Sequence, residues 1–191
     1  GQILAFTIDS DSVYVHPEDV EDPMGTAVRL AAAVGLPLDI VLARVQKDAG
    51  FVWIKRHLEL DEAAAVAALD LPGVFTTVEP KRVYPMGMNG AHILGFVDVD
   101  GNGLEGLEYR YNDLLAGRGG FIQEEWGKNN VPIPQSEVNT VAVVPGSDLI
   151  TTMDLSISLT ARKACEAALV RTGAVRCSVV VMDPTTGEVL A

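Results

Sequence analysis

Chain-breaking residues stand so close together between Pro23 and Gly73 that only short elements fit between them. Pro23 opens a run in which Ala27, Leu30, Ala31 and Val34 recur at helical spacing, and Gly35 stops it, which predicts a helix over Pro23–Val34. A second helix is predicted from Leu38 to Ala49, with Gly50 as its stop. Phe51–Ile54 then reads as a short strand. Asp61–Leu69 reads as an alanine-rich helix with Asp61 and Glu62 at the positive end of its dipole. Pro72-Gly73 is a turn, and β-branched Val74–Tyr84 is extended. Ahead of all these, residues 3–16 alternate loosely (Ile3, Ala5, Thr7, then Val13, Val15) and read as extended structure broken by a turn at Asp9-Ser10-Asp11-Ser12.

The second half is read in the same way. Asn89–Phe96 is a short helix and Leu104–Leu115 a longer one; Phe121–Thr152 is strand and loop, broken by Pro132, Pro134 and Pro145. Asp154 caps a helix running to about Arg171. Val175–Met182 is a nearly continuous apolar run, which predicts a strand buried on both faces. Asp183–Gly187 is a tight turn, and Glu188–Ala191 begins the returning strand. This hairpin reads as a core element whose cover lies outside the chain, and the opening Gly1-Gln2-Ile3 reads as the start of an excised piece.

Hydrophobic residues make up 48% of the 191 and charged residues 21%, the balance of a chain that buries a core. A net charge of −12 is repelled by phosphate backbones and by anionic membrane surfaces, so nucleic acid is excluded as a partner. No apolar run is long enough to span a bilayer: Val28–Val45 is interrupted by Arg29, Pro37, Asp39 and Arg44. Cys165 and Cys177 fit neither a redox C-x-x-C nor a zinc spacing. They read as two small buried residues, with a disulfide between helix and following strand as the open alternative.

Several motifs tempt and do not hold. Gly101-Asn102-Gly103-Leu104-Glu105-Gly106 matches G-x-G-x-x-G, but it follows Asp98-Val99-Asp100, and Glu105 and Glu108 in the next helix would repel a pyrophosphate. Asp98, Asp100, Asn102 and Gly103 imitate a calcium loop whose twelfth position should be glutamate and is Tyr109. His16, His57 and His92 lack neighbours at metal spacing, so no metal site is assigned. Adjacent Glu124 and Glu125 would point to opposite faces of a strand. Phe51 and Trp53 read as core, and as partner-site candidates should they prove exposed.

Taken in order, a series of stretches resembles the class B penicillin-binding proteins. They are Gly1–Ala5, Phe51–Leu58 (FVWIKRHL), Leu71–Val74, Lys81–Pro85 (KRVYP), Ala91–Val97, Gly103–Glu108, Gly117–Gly120, Gly146–Asp154 and Ser178–Ala191 (SVVVMDPTTGEVLA). The 125–134 loop departs from the family pattern. The family's S-x-x-K, S-x-N and K-T-G motifs are absent from this sequence, so no catalytic residue is carried over and no cofactor is implied.

The resemblance implies an elongated α+β dimerisation (pedestal) domain of small lobes over 1–153, with 154–191 as the first helix and hairpin of a transpeptidase domain. It implies a non-catalytic role: positioning that downstream domain and contacting a membrane glycosyltransferase and division or elongation proteins. A homodimer is a further option. The implied location is the extracytoplasmic face of a bacterial membrane, through an anchor outside this chain. The structural or interface candidates are Arg82, Tyr84, Pro85, Gly95, Glu105, Gly106 and Glu108. Gly95, Gly103 and Gly106 would permit close approach or positive φ, and Arg82 is expected to pair with Glu105 or Glu108. The rival readings are a β-lactam sensor or resistance protein of the same architecture, an extracellular calcium-binding module built on Asp98–Glu108, and a small hydrolase using Glu124, Glu125 or Asp100.

Overall fold

The computed structural model describes residues 2–123, 126–127, 131–132 and 139–191. It divides into two units, a sheet lobe of Ala5–Val83 and a second unit of residues 1–4 and 84–191.

The sheet lobe is a three-stranded antiparallel sheet of order β2-β1-β3, formed by β1 (Phe6–Val15), β2 (Val52–Lys55) and β3 (Val74–Val83). Helices α1 (Pro23–Val34), α2 (Leu38–Val45) and α3 (Leu60–Ala67) supply the apolar stripes that bury against it. Val13 and Val15 of the central strand meet Leu30, Val34, Val41, Val45, Ile54, Leu58 and Val66 in one core. Helix α1 forms over the predicted span. Asp22 accepts a hydrogen bond from the Gly25 amide at its start, and Gly35 ends it in the left-handed conformation at φ 64°. Helix α2 stops at Val45, short of the expected Ala49, because Gln46, Lys47 and Asp48 are exposed and a further turn would bury nothing. Helix α3 begins at Leu60, set by a capping box between Glu59 and Glu62.

The turn expected at Asp9–Ser12 does not form. Strand β1 runs unbroken for 10 residues, in register with β3 from Phe6↔Val83 to Val15↔Val74. Aspartate and serine favour turns by bonding their own backbone. Here the Ser10 hydroxyl instead donates to the Leu58 carbonyl at 3.1 Å, and the Ser12 hydroxyl accepts from the His57 amide at 3.0 Å. Both serines are buried and satisfied by the 57–58 segment, so long-range pairing overrides the local preference.

The second unit holds short helices α4 (Ala91–Leu94), α5 (Gly106–Arg110) and α6 (Asn112–Leu115). It also holds strands β4 (Phe121–Gln123), β5 (Trp126–Gly127), β6 (Val131–Pro132) and β7 (Asn139–Val141), and the long helix α7 (Leu155–Thr172). Strand β4 pairs with β7 and β5 with β6. The single helix expected over Leu104–Leu115 is divided at Tyr111, whose φ of −114° lies outside the helical range. Helix α7 follows the expected Asp154 cap, which accepts from the Ile157 amide at 2.9 Å. Val175–Met182 is not a buried strand. Val175 is 92% exposed, and one bridge, Met182↔Val189, closes the Asp183–Gly187 turn. No strand among the described residues pairs with Val175–Val180, so their apolar side chains have nothing to pack under. Cys165 and Cys177 are disulfide-bonded, with Cys177 exposed, which replaces the expectation of two buried thiols by its open alternative. Among the described residues no helix is long and apolar enough to cross a membrane.

Candidate interface

Strand alternation decides what the sheet lobe shows outward. Val13 and Val15 turn into the helix-covered core, which sends Tyr14 to the opposite face. Its cross-strand partners are Trp53 on β2 and Phe75 on β3. Ring centroids lie 5.7 Å from Tyr14 to Trp53 and 5.5 Å from Tyr14 to Phe75. Phe51, two residues from Trp53, adds a ring 4.7 Å from Tyr14, and His16 lies 4.8 Å from Phe75. Five rings thus form one continuous patch on the face opposite the α1–α3 core. Phe51 is 46% and Phe75 41% exposed, so Phe51 is not the core residue expected from sequence.

Beside the patch, the Arg56 guanidinium sits 5.1 Å from the Trp53 ring centroid. It donates twice to Glu79, from Nε to Oε2 at 2.9 Å and from Nη2 to Oε1 at 2.6 Å. Burial would raise the Glu79 carboxyl, but the Arg56 pair and a hydrogen bond with Ser12 outweigh it and hold the group below its ordinary value. Lys81 pairs with Glu59 at 2.9 Å. Lys55 donates to Glu62 at 2.6 Å and to the Val34 carbonyl, tying β2 to α1 and to the α3 cap. The Lys55 hydrogen bond is the main reason the Glu62 carboxyl is also held low. The face has aromatic area and neutralised charge. Such a surface can bury apolar area against another surface.

Of the sequence-selected residues, Arg82 belongs to the sheet lobe and Tyr84, Pro85, Gly95, Glu105, Gly106 and Glu108 to the second unit. Arg82 is on β3 and donates to the Thr7 hydroxyl at 3.3 Å; Tyr84 and Pro85 follow the end of β3 at Val83. Gly95, Glu105, Gly106 and Glu108 belong to the second unit, where Glu108 is buried and Glu105 exposed. Gly95 and Gly106 bring two backbones into direct contact, both at positive φ (75° and 63°). Gly103 donates its amide to Asn112 Oδ1 at 2.8 Å. The Asp98 carboxylate accepts from Asn102 and from the Asp100 amide; these hydrogen bonds hold it below its ordinary value and shape the loop as a polar turn. Among the described residues no group of three or more metal-ligating side chains converges. Glu124 and Glu125, with most of the 125–134 loop, lie outside the described residues. Sequence reasoning missed Tyr14, His16 and Phe75. Their signal was aromatic spacing at i, i+2 (Tyr14/His16 and Phe51/Trp53) on and next to strands that pair.

Residues 1–151 match the sequence model of the penicillin-binding protein dimerisation domain. The chain belongs to this family. It is 34% identical to the probable peptidoglycan D,D-transpeptidase PenA of Neisseria gonorrhoeae, over 100% of this chain and 34% of the relative. It is 28% identical to the peptidoglycan D,D-transpeptidase FtsI of Escherichia coli K12, over 100% of this chain and 33% of that protein. This penicillin-binding protein domain thus spans about a third of the length of the curated relatives it matches. Among solved structures it resembles the penicillin-binding protein PBP2 in a complex with MreC from Helicobacter pylori. There the TM-score is 0.72 at 21% identity, with 100% of this chain and 39% of the other covered. It also resembles a peptidoglycan synthetase from Bifidobacterium adolescentis, with TM-score 0.62 and 22% identity over 100% of this chain and 40% of that one. At these identities the structures share the fold, the mixed helix-and-sheet pedestal of class B penicillin-binding proteins.

Proposed function

We propose that this chain is the non-catalytic pedestal of a peptidoglycan D,D-transpeptidase, with residues 1–153 as the dimerisation domain and 154–191 as the first helix and hairpin of the transpeptidase domain. The observation that carries this reading is the alignment of the whole chain, beyond the family match at 1–151, with relatives named as transpeptidases. The chemistry is serine acyl transfer in the downstream domain, and the pedestal positions that domain on the extracytoplasmic side of the membrane. Contact with division or elongation proteins belongs to the same reading, and the solved PBP2–MreC complex of a structural relative supports it.

Depletion of the gene product in its own host tests the proposal. The crosslinked fraction of the cell-wall peptides should fall, and the full-length protein should restore it where the 191-residue chain does not. Unchanged crosslinking on depletion would overturn the assignment.

A further inference from the structure

We propose that the aromatic face of the sheet lobe is a docking surface for another protein, one that presents an apolar patch bordered by lysine or arginine. This rests on the partner-contact reading above and assigns it a place and a chemistry.

Three observations carry it. The first is continuity with exposure. Tyr14, His16, Phe51, Trp53 and Phe75 touch ring to ring, and the two outer phenylalanines remain more than 40% exposed. Aromatic rings with an adjacent arginine are the composition of interface centres. The second is the tilt of the rings. A glycan platform needs ring faces lying in one plane, where sugar rings can stack. Here Phe75 and Phe51 lie 25° and 33° from Tyr14, while Trp53 stands edge-on at 79° to Tyr14 and 88° to Phe51, so the ring faces do not share one plane. That relief fits interdigitating side chains. The third is charge. The cations along this face are held in pairs, Arg56 with Glu79 and Lys81 with Glu59. Glu18 and Asp19 stand exposed at the end of the ring row, with Asp19 3.5 Å from His16. A second copy of this chain brings the same acidic edge and a net charge of −12 rather than a basic border. A partner with a basic border meets complementary charge.

The test is photocrosslinking of the full-length protein in its host, with p-benzoylphenylalanine replacing Phe75 or Phe51 and, as control, Val28 on the exposed side of α1. Replacing one aromatic by another keeps the fold. Crosslinks at positions 75 and 51 should exceed those at 28 by about tenfold, and the captured segment should carry apolar residues beside lysine or arginine. Glu18→Lys with Asp19→Lys should lower the yield at position 75 about tenfold. Equal yields at all three positions would overturn the proposal. So would adducts removed by a muramidase, adducts to a second copy of this chain, or a yield indifferent to the charge reversal. Binding of labelled penicillin and co-purification of division or elongation proteins are read in the same strains. If both persist while positions 75 and 51 stay silent, the docking claim falls and the pedestal reading stands. If the full-length protein binds no penicillin, that reading falls, and the crosslinks still decide the docking claim.

Discussion

Gly95 and Gly106 are in backbone contact: a Cβ on Gly95 would lie 1.7 Å from the Glu105 carbonyl oxygen, and one on Gly106 would lie 2.5 Å from the Gly95 nitrogen. Both residues also hold positive φ, and Gly95 combines φ 75° with ψ −154°, a region open only to glycine. Gly95→Ala and Gly106→Ala should each destabilise the second unit by about 3 kcal/mol, because steric overlap and backbone strain add. Urea unfolding followed by hydrogen exchange at α4 and α5 checks this. A loss below about 0.5 kcal/mol, the range of ordinary surface substitutions, would contradict it.

The Arg56–Glu79 pair predicts acid sensitivity of the sheet lobe. The folded Glu79 carboxyl lies below its ordinary value of 4.5, so the folded state favours the ionised form. That stability is present in full above pH 4.5 and is lost as pH falls through the lower folded value, where the unfolded chain binds the proton first. Glu62 acts in the same direction. Urea unfolding at pH 7 and pH 4 should show the wild type losing more stability than Glu79→Gln across that interval. Equal losses would remove the linkage.

Ser12 is wholly buried within β1 and accepts from the His57 amide. Ser12→Ala should cost about 1–3 kcal/mol, since the His57 N–H loses its acceptor. Thermal unfolding measures it, and an unchanged melting temperature would contradict the assigned bond.

The Cys165–Cys177 disulfide joins α7 to the segment that follows it. A non-reducing digest should yield the linked peptide. Double substitution to alanine should destabilise the second unit by about 3 kcal/mol, as expected for a short closed loop. Detection of two free thiols in protein purified from its host without reductant would contradict the bond.

What was legible in the sequence follows a physical divide. Helices α1 and α7 were read correctly because their signals are local: Pro23 at the start of α1, the Asp154 cap of α7 and the Gly35 stop act within one turn. The Asp9–Ser12 turn was misread because Ser10 and Ser12 are satisfied by residues 57–58, 45 to 48 positions away. Val175–Met182 was misread because an apolar run states what a segment can bury and not what lies beside it. The aromatic face needed the β2-β1-β3 register before Tyr14, Trp53 and Phe75 became neighbours. The family resemblance was legible from the order of short motifs, and Gly95 and Gly106 stand in two of them because their backbones meet.

Intact-protein mass after exposure to labelled penicillin, on this 191-residue chain and on the full-length gene product, decides whether the acylated serine lies outside the pedestal. The extended protein should gain one adduct and the 191-residue chain none. An adduct on the chain itself, or none on either, would contradict that placement.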